Sequence, residues 1–182
     1  MAKGMSKGSA YERKICKQLS LWWTDGNRDD VFWRTQGSGA RATTRGKSGK
    51  STFGQYGDVQ ATDPIGSPFT ELLTVEIKRG YSQNTFADLI ERHQNPKVKK
   101  CMFQKFIGQA EKECDVAKTY AWLLICKRNA RTPIVVMPSY FFYNIDEDSE
   151  PCYRTMAEVV FYNDNNEYQN IIITYISNFV NF

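Results

Sequence analysis

The chain has 182 residues, of which 41% are apolar and 14% aromatic, and a net charge of +4. It is therefore long enough to bury the core of one domain, too short for two large ones, and too apolar for wholesale disorder. Lys and Arg outnumber Asp and Glu by 11 to 4 in residues 1–50, whereas residues 139–182 carry 1 basic and 7 acidic side chains. This asymmetry predicts a polyanionic partner bound on one side, although chance clustering on a solvated surface would give the same counts.

The cysteines and the first residues of the chain predict the cellular compartment. The five cysteines are widely spaced and include no CxxC pair, which is typical of reduced thiols in an intracellular protein. Residues 1–7 are basic with no apolar run behind them, so we expect no signal peptide, and no stretch reaches transmembrane length. We therefore expect a soluble, cytoplasmic protein that does not bind membranes.

The first third of the chain combines a helix, a short strand and a glycine-rich basic segment. Behind a basic tail, a capping-box pattern at Ser9 and Glu12 is followed by apolar residues at helical spacing, which predicts a helix over residues 9–23. Residues 31–34 are predicted as a short strand. Residues 36–55 contain five glycines and little to bury, which indicates a loop that is either functional or disordered.

The rest of the pattern predicts a mixed α/β fold. Residues 120–126 are almost entirely apolar, which is typical of a central strand buried on both faces, and residues 133–137 are predicted as its neighbour. Because helices and strands alternate, we expect a central sheet covered by helices. The other predicted elements are strands over residues 58–62, 70–78, 158–162 and 171–176 and helices over residues 85–93 and 102–118.

Three residues carry the clearest chemical signal. Asp58 follows Gly57, and Glu76 and Lys78 lie two apart near the end of an apolar run. Residues two apart on a strand project from the same face, so the carboxylate and the ammonium are expected to lie together. Two carboxylates and an ammonium at a strand end can hold a hard divalent cation and orient a water molecule, and that chemistry cleaves phosphodiesters.

The spacing of these residues resembles the PD-(D/E)xK nuclease signature, with Gly57 in the place of the proline. The resemblance extends to the helix that opens at Lys7-Gly8-Ser9-Ala10-Tyr11-Glu12-Arg13, to Gly37-Ser38-Gly39 after a strand, and to Gln109-Ala110-Glu111 on a later helix. Together they are similar to archaeal Holliday-junction resolvases. The resemblance implies a restriction-endonuclease-like core within residues 1–138, with residues 139–182 as an acidic, aromatic extension packed on it.

The resemblance also implies roles for site residues. Mg²⁺, or Mn²⁺ as a substitute, would be held by Asp58, Glu76, the Ile77 carbonyl and Glu12. Lys78 would act either as a base or as an electrostatic stabiliser, and Ser38 and Gln109 would also contribute to catalysis. Each side chain has an ordinary alternative: a turn residue for Asp58, an exposed edge-strand position for Glu76, an ion pair with Glu76 for Lys78, the capping box for Glu12, a flexible turn for Ser38 and a polar helix face for Gln109.

Basic residues around these motifs predict contacts to a nucleic-acid backbone without base readout. The alternative interpretation is that these residues belong to a disordered, solvated loop. The two interpretations are compatible if the loop becomes ordered when it binds DNA. The predicted DNA-binding residues are Arg13, Arg34, Ser38, Arg41, Arg45, Lys47 and Lys50.

The predicted function is that of a Mg²⁺-dependent DNA endonuclease. Its substrate would be DNA, branched if the likeness to resolvases extends to specificity, and the same likeness implies a homodimer. Two alternatives remain at this point: a non-catalytic nucleic-acid-binding module on a nuclease scaffold, and a restriction-like or nicking nuclease acting on other DNA or RNA structures.

Overall fold

A computed structural model describes residues 7–35, 56–81, 85, 87–89, 101–146, 156–162 and 168–179. In chain order the elements are α1 (Lys7–Trp23), β1 (Phe32–Arg34), β2 (Val59–Ala61), a 3-10 helix (Pro64–Gly66), α2 (Ser67–Leu72), β3 (Leu73–Arg79), α3 (Met102–Ala117), β4 (Ala121–Lys127), β5 (Ile134–Pro138), α4 (Ser139–Asp146), β6 (Met156–Tyr162), β7 (Tyr168–Tyr175) and α5 (Ile176–Phe179). None of the described helices has the length and apolar character needed to span a membrane.

The central sheet has five strands in the order β3-β4-β5-β7-β6. Strands β3 and β4 are parallel, with Glu76 opposite Leu124 and Lys78 opposite Cys126, and the other pairs are antiparallel. A separate antiparallel pair, β1 and β2, packs against α1 and α2. The predicted mixed sheet is therefore confirmed.

Helices cover both faces of this sheet, as the sequence predicts. Tyr11, Ile15 and Leu19 of α1 join Phe141 and Phe142 of α4 in one apolar cluster, together with the inward residues of β3 and β4. On the other face α3 packs Phe103, Phe106, Ile107, Ala110 and Cys114 against the alternate residues of β4 and against β6 and β7. Because β4 is covered on both faces, its continuous apolar run is accounted for.

Several predicted boundaries need correction. Helix α1 already includes Ser9, so the capping box at Ser9 and Glu12 is wrong. Residues 70–72 belong to α2 and not to a strand, since the chain remains helical until it enters β3. The helices Ser139–Asp146 and Ile176–Phe179 were not predicted.

Other predictions fall partly or wholly outside the described residues. Of the helix predicted over residues 85–93, residues 85 and 87–89 are described; residue 85 is not helical and residues 87–89 are. The basic tail and the segment 36–55, with its Gly37-Ser38-Gly39 motif, lie outside. Of the cysteines, Cys16, Cys101, Cys114 and Cys126 are free, and all but Cys101 are buried, as expected of reduced thiols.

Candidate active site

The centre of the candidate site is the acidic and basic pair on β3. Glu76 is only 2% exposed, and Lys78 lies two residues further along the same face. The Lys78 ammonium forms a short ion pair with Oε1 of Glu76 and donates to Oε1 of Gln109 at 3.1 Å. It also lies 5.5 Å from the ring centroid of Phe106. The predicted same-face arrangement is thus observed, and it faces α3.

Helix α3 contributes two polar side chains to this centre. Gln109 Nε2 donates to Oε1 of Glu76 at 2.9 Å and to Oε1 of Glu113 at 3.0 Å. Glu113 Oε2 in turn accepts the backbone N–H of Gly57 at 2.9 Å. Glu113 is not among the site residues predicted from the sequence. The signal that could have found it is its position four residues after Gln109, which places both side chains on one helix face.

Asp58 is held against the edge of β3 by backbone contacts. Its N–H donates to the Val75 carbonyl at 2.7 Å, and its Oδ2 accepts the N–H of Ile77 at 2.9 Å. The turn before it depends on Gly57, which has φ +69°. Proline cannot adopt that angle, so the departure from the PD signature follows from the backbone conformation here.

The electrostatics of the centre follow from its burial. The pKa of Glu76 is raised to about 8, mainly by burial, with smaller increases from the charges of Asp58 and Glu113 and an opposing effect of Lys78. For Lys78, burial lowers the pKa, but the negative charge of Glu76 and its hydrogen bond outweigh it, so the pKa lies above its ordinary value. Lys78 is therefore an ammonium in this arrangement, whereas Glu76 without a bound cation is mostly protonated at neutral pH.

The donor chemistry fits a hard divalent cation. Two nearby carboxylates, both of them buried, repel each other, and a cation between them would remove that repulsion. Within the described part of the chain, however, no three Asp, Glu, His or Cys side chains converge as a metal-ligating cluster. The protein ligands at hand are thus the two carboxylates of Asp58 and Glu76, with backbone carbonyls such as that of Ile77.

Glu12 lies on α1, where its carboxylate accepts from Arg34 Nε at 2.7 Å. The pair lies near the thiol of Cys16, whose pKa is raised to about 12, mainly by burial, with smaller increases from Asp58 and Glu12 and an opposing effect of Arg34. Glu12 and Asp58 therefore flank the same buried group. Arg34 is committed to an ion pair that the sequence did not predict.

The remaining predicted residues are not brought to this centre by any described contact. The Arg13 guanidinium donates to the Ser9 carbonyl of its own helix at 3.2 Å. Ser38, Arg41, Arg45, Lys47 and Lys50 lie outside the described residues.

A mixed sheet between helices, with an aspartate docked on the edge of a strand that carries Glu-x-Lys, defines a nuclease of the PD-(D/E)xK superfamily. The chain belongs to the family described as "Phage putative PDDEXK endonuclease", which it matches over residues 3–182. No curated protein and no solved structure matches it. The family match extends beyond the residues that carry the sequence resemblance and includes the C-terminal segment.

Proposed function

We propose that the protein is a Mg²⁺-dependent DNA endonuclease that hydrolyses phosphodiester bonds at Asp58, Glu76 and Lys78. The observation that carries the proposal is the buried carboxylate of Glu76, held by Lys78 and Gln109 beside the docked Asp58. A purely structural ion pair gives no reason to place a second and a third carboxylate close to a buried one.

The cation would be held by Asp58, Glu76 and the Ile77 carbonyl, and when bound it supplies Lewis-acid stabilisation of charge on the phosphate. The protein's own contribution is positioning. Asp58 is fixed by the Ile77 N–H, so its carboxylate is aimed before substrate arrives. Gln109 fixes Glu76 through one hydrogen bond and Lys78 through another, which leaves neither side chain free to rotate away.

For Lys78 the contacts favour the role of an electrostatic stabiliser. Its ammonium acts as a donor to both Glu76 and Gln109, and a general base would have to lose a proton from that arrangement. As a cation beside the phosphate, Lys78 would stabilise the negative charge that develops in the transition state. Glu12, which accepts from Arg34, would contribute by holding α1 against β1.

The proposal also includes the shape of the DNA substrate and the oligomeric state of the enzyme. The likeness of the N-terminal helix and of the Gly37-Ser38-Gly39 motif to Holliday-junction resolvases supports four-way-junction DNA as the substrate and a homodimer as the active form.

The test is cleavage of supercoiled, linear and four-way-junction DNA in Mg²⁺ by wild type, Asp58→Asn and Lys78→Ala, with Asp115→Asn on the exposed face of α3 as control. We expect wild type and the control to cleave, and the two site variants to lose at least about a hundredfold in rate. Equal cleavage by all four proteins would contradict the site. Cleavage of all three substrates at one rate would contradict junction specificity alone, and salt-dependent binding without cleavage would favour a non-catalytic module.

A further inference from the structure

A second charged surface lies at the carboxyl ends of β3 and β4. A depression of about 510 Å³ is lined there by the ends of both strands and by the turn to β5. Of the described residues that line it, four are cations and none is acidic. We call these four the basic rim: Arg79, Lys127, Arg128 and Arg131.

The basic rim directly continues the candidate active site. Arg79 follows Lys78 on β3, about 3.3 Å further along the strand, and pairs in register with Lys127 of β4. Because successive strand residues point to opposite faces, Lys78 faces α3 whereas Arg79 lies over α1. A ligand that crosses the ends of these strands would therefore meet the rim next to the cleavage centre.

The structure holds the rim cations in place. Arg79 and Lys127 both lie over the ring of Tyr11, at 5.5 and 5.9 Å from its centroid. Tyr11 is 3% exposed, so it supports the two cations from below and is not itself open to a ligand. The backbone adds two contacts: the N–H of Gly80 donates to the Lys127 carbonyl at 2.9 Å, and the N–H of Arg131 to the Arg128 carbonyl at 3.3 Å.

The composition of the depression indicates what it would bind. Clustered guanidinium and ammonium groups without a carboxylate favour a polyanion. The other described lining residues are Asn129, Ala130, Thr132 and Pro133, and none of these has an aromatic ring on which a base would stack. The chemistry therefore matches a phosphate backbone and not nucleobases.

We propose that the basic rim binds the sugar–phosphate backbone of the DNA substrate beside the cleavage site, without reading its sequence. The inference rests on the proposed nuclease function and adds a DNA-binding surface separate from the N-terminal basic segment. The rim sets affinity and leaves the rate of the chemical step unchanged.

The test is single-turnover cleavage of a DNA that the wild type cuts, measured against protein concentration at several salt concentrations. For Lys127→Ala/Arg131→Ala we expect the half-saturating protein concentration to rise roughly tenfold with an unchanged maximal rate. The slope of log affinity against log salt should fall by about 2, one for each lost phosphate contact. If the double variant does not fold, Arg131→Ala alone, at an exposed turn position, should give half of the expected change in log affinity and in the salt slope.

Two further variants separate specific contact from general charge. Lys17→Ala/Lys112→Ala removes two exposed positive charges from α1 and α3, of which Lys17 is paired with Asp29, and should leave affinity nearly unchanged. Lys127→Arg/Arg131→Lys keeps both charges at the rim and should bind like the wild type. Two results would contradict the proposal that the basic rim binds DNA: an equal loss of affinity in the rim variant and the helix variant, or a lower maximal rate at an unchanged half-saturating concentration. Neither result would contradict the nuclease function. If the wild type cleaves no DNA, the proposed function is wrong, and the proposed role of the basic rim is wrong as well.

Discussion

At the scale of the residue, Glu76 shows the conflict between stability and function most directly. It is a carboxylate in the interior, it lies near two other carboxylates, and its pKa is raised to about 8, with burial as the largest cause. The structure compensates it with Lys78 and Gln109, but the compensation is incomplete. A group that weakens the fold in this way is typical of a site kept for function.

The raised pKa of Glu76 predicts how stability depends on pH in the absence of divalent cations. The folded-state pKa lies above the unfolded value of about 4.5, so the unfolded chain loses its proton first. Stability from this group is complete below about pH 4.5 and declines as pH rises towards 8. Urea unfolding in EDTA should therefore show wild type losing stability between pH 5 and 8 more steeply than Glu76→Gln. Parallel pH profiles of the two proteins would contradict the prediction.

Glu113 is a positioning residue that links three parts of the site. It accepts from the Gly57 N–H and from Gln109, so it ties the turn before Asp58 to the helix that holds Glu76. We expect Glu113→Ala to lower the maximal cleavage rate roughly 10- to 100-fold, the range seen when a group that orients a ligand is lost.

Glu113→Gln is the control: its amide oxygen can still accept the Gly57 N–H, whereas its amide nitrogen cannot accept from Gln109. It should retain more activity than Glu113→Ala, and both variants should keep the affinity for DNA measured by anisotropy. Equal loss in the two variants would show that the hydrogen bond from Gly57 is not what matters.

At the scale of the element, the turn before β2 decides where Asp58 lies. Gly57 has a positive φ and approaches β3 so closely that a Cβ would meet the Val75 carbonyl oxygen at 2.6 Å. A contact between the added Cβ and a backbone oxygen cannot be relieved by a rotation, as a contact with a flexible side chain can. The turn and the strand therefore fit each other only when the residue before Asp58 is glycine.

We expect Gly57→Ala to destabilise the protein by about 2–4 kcal/mol, through the strained φ and the contact with Val75 together. Gly26→Ala is the control: Gly26 also has a positive φ, +84°, but no atom lies within 4 Å of its would-be Cβ. It should cost only about 1 kcal/mol. Equal free energies of unfolding for the two variants would show that the close approach does not matter.

The elements also show where sequence patterns are sufficient and where they are not. Apolar periodicity correctly predicted the long helices α1 and α3 and the buried strand β4, because each buries a regular face. It failed between residues 67 and 72, where α2 runs directly into β3. That segment has only two large apolar side chains, Phe69 and Leu72, too few to show a period, and the helix packs against β2 and β3.

At the scale of the whole molecule, the C-terminal segment is part of the sheet. Strand β7 pairs with β5, so β5 is an interior strand only because residues 168–175 cover its outer edge. Phe141, Phe142 and Ile172 belong to one apolar cluster, and Phe161 and Ile171 to the other. The segment predicted as an extension packed on the core therefore supplies two strands of the sheet itself.

This arrangement predicts that a chain ending at residue 138 does not fold cooperatively. Loss of residues 139–182 would expose the edge of β5 and the apolar side chains on both faces of the sheet. Thermal unfolding followed by circular dichroism should show a cooperative transition for the full chain and for a control lacking residues 1–6. A cooperative transition in the 1–138 chain would instead support an independent core with a separable extension.

The sequence by itself determined the class of chemistry and the main elements of the fold. Asp58, Glu76 and Lys78 could be found because their types and spacing are local properties of the chain, and helices and buried strands could be found because their periodicities are local too. Tertiary structure alone decided which groups meet: that Gln109 and Glu113 hold the site, that Glu12 pairs with Arg34, and that Arg79 and Lys127 share the ring of Tyr11. These contacts join residues far apart in the chain, and they depend on strand order and register, which periodicity does not contain.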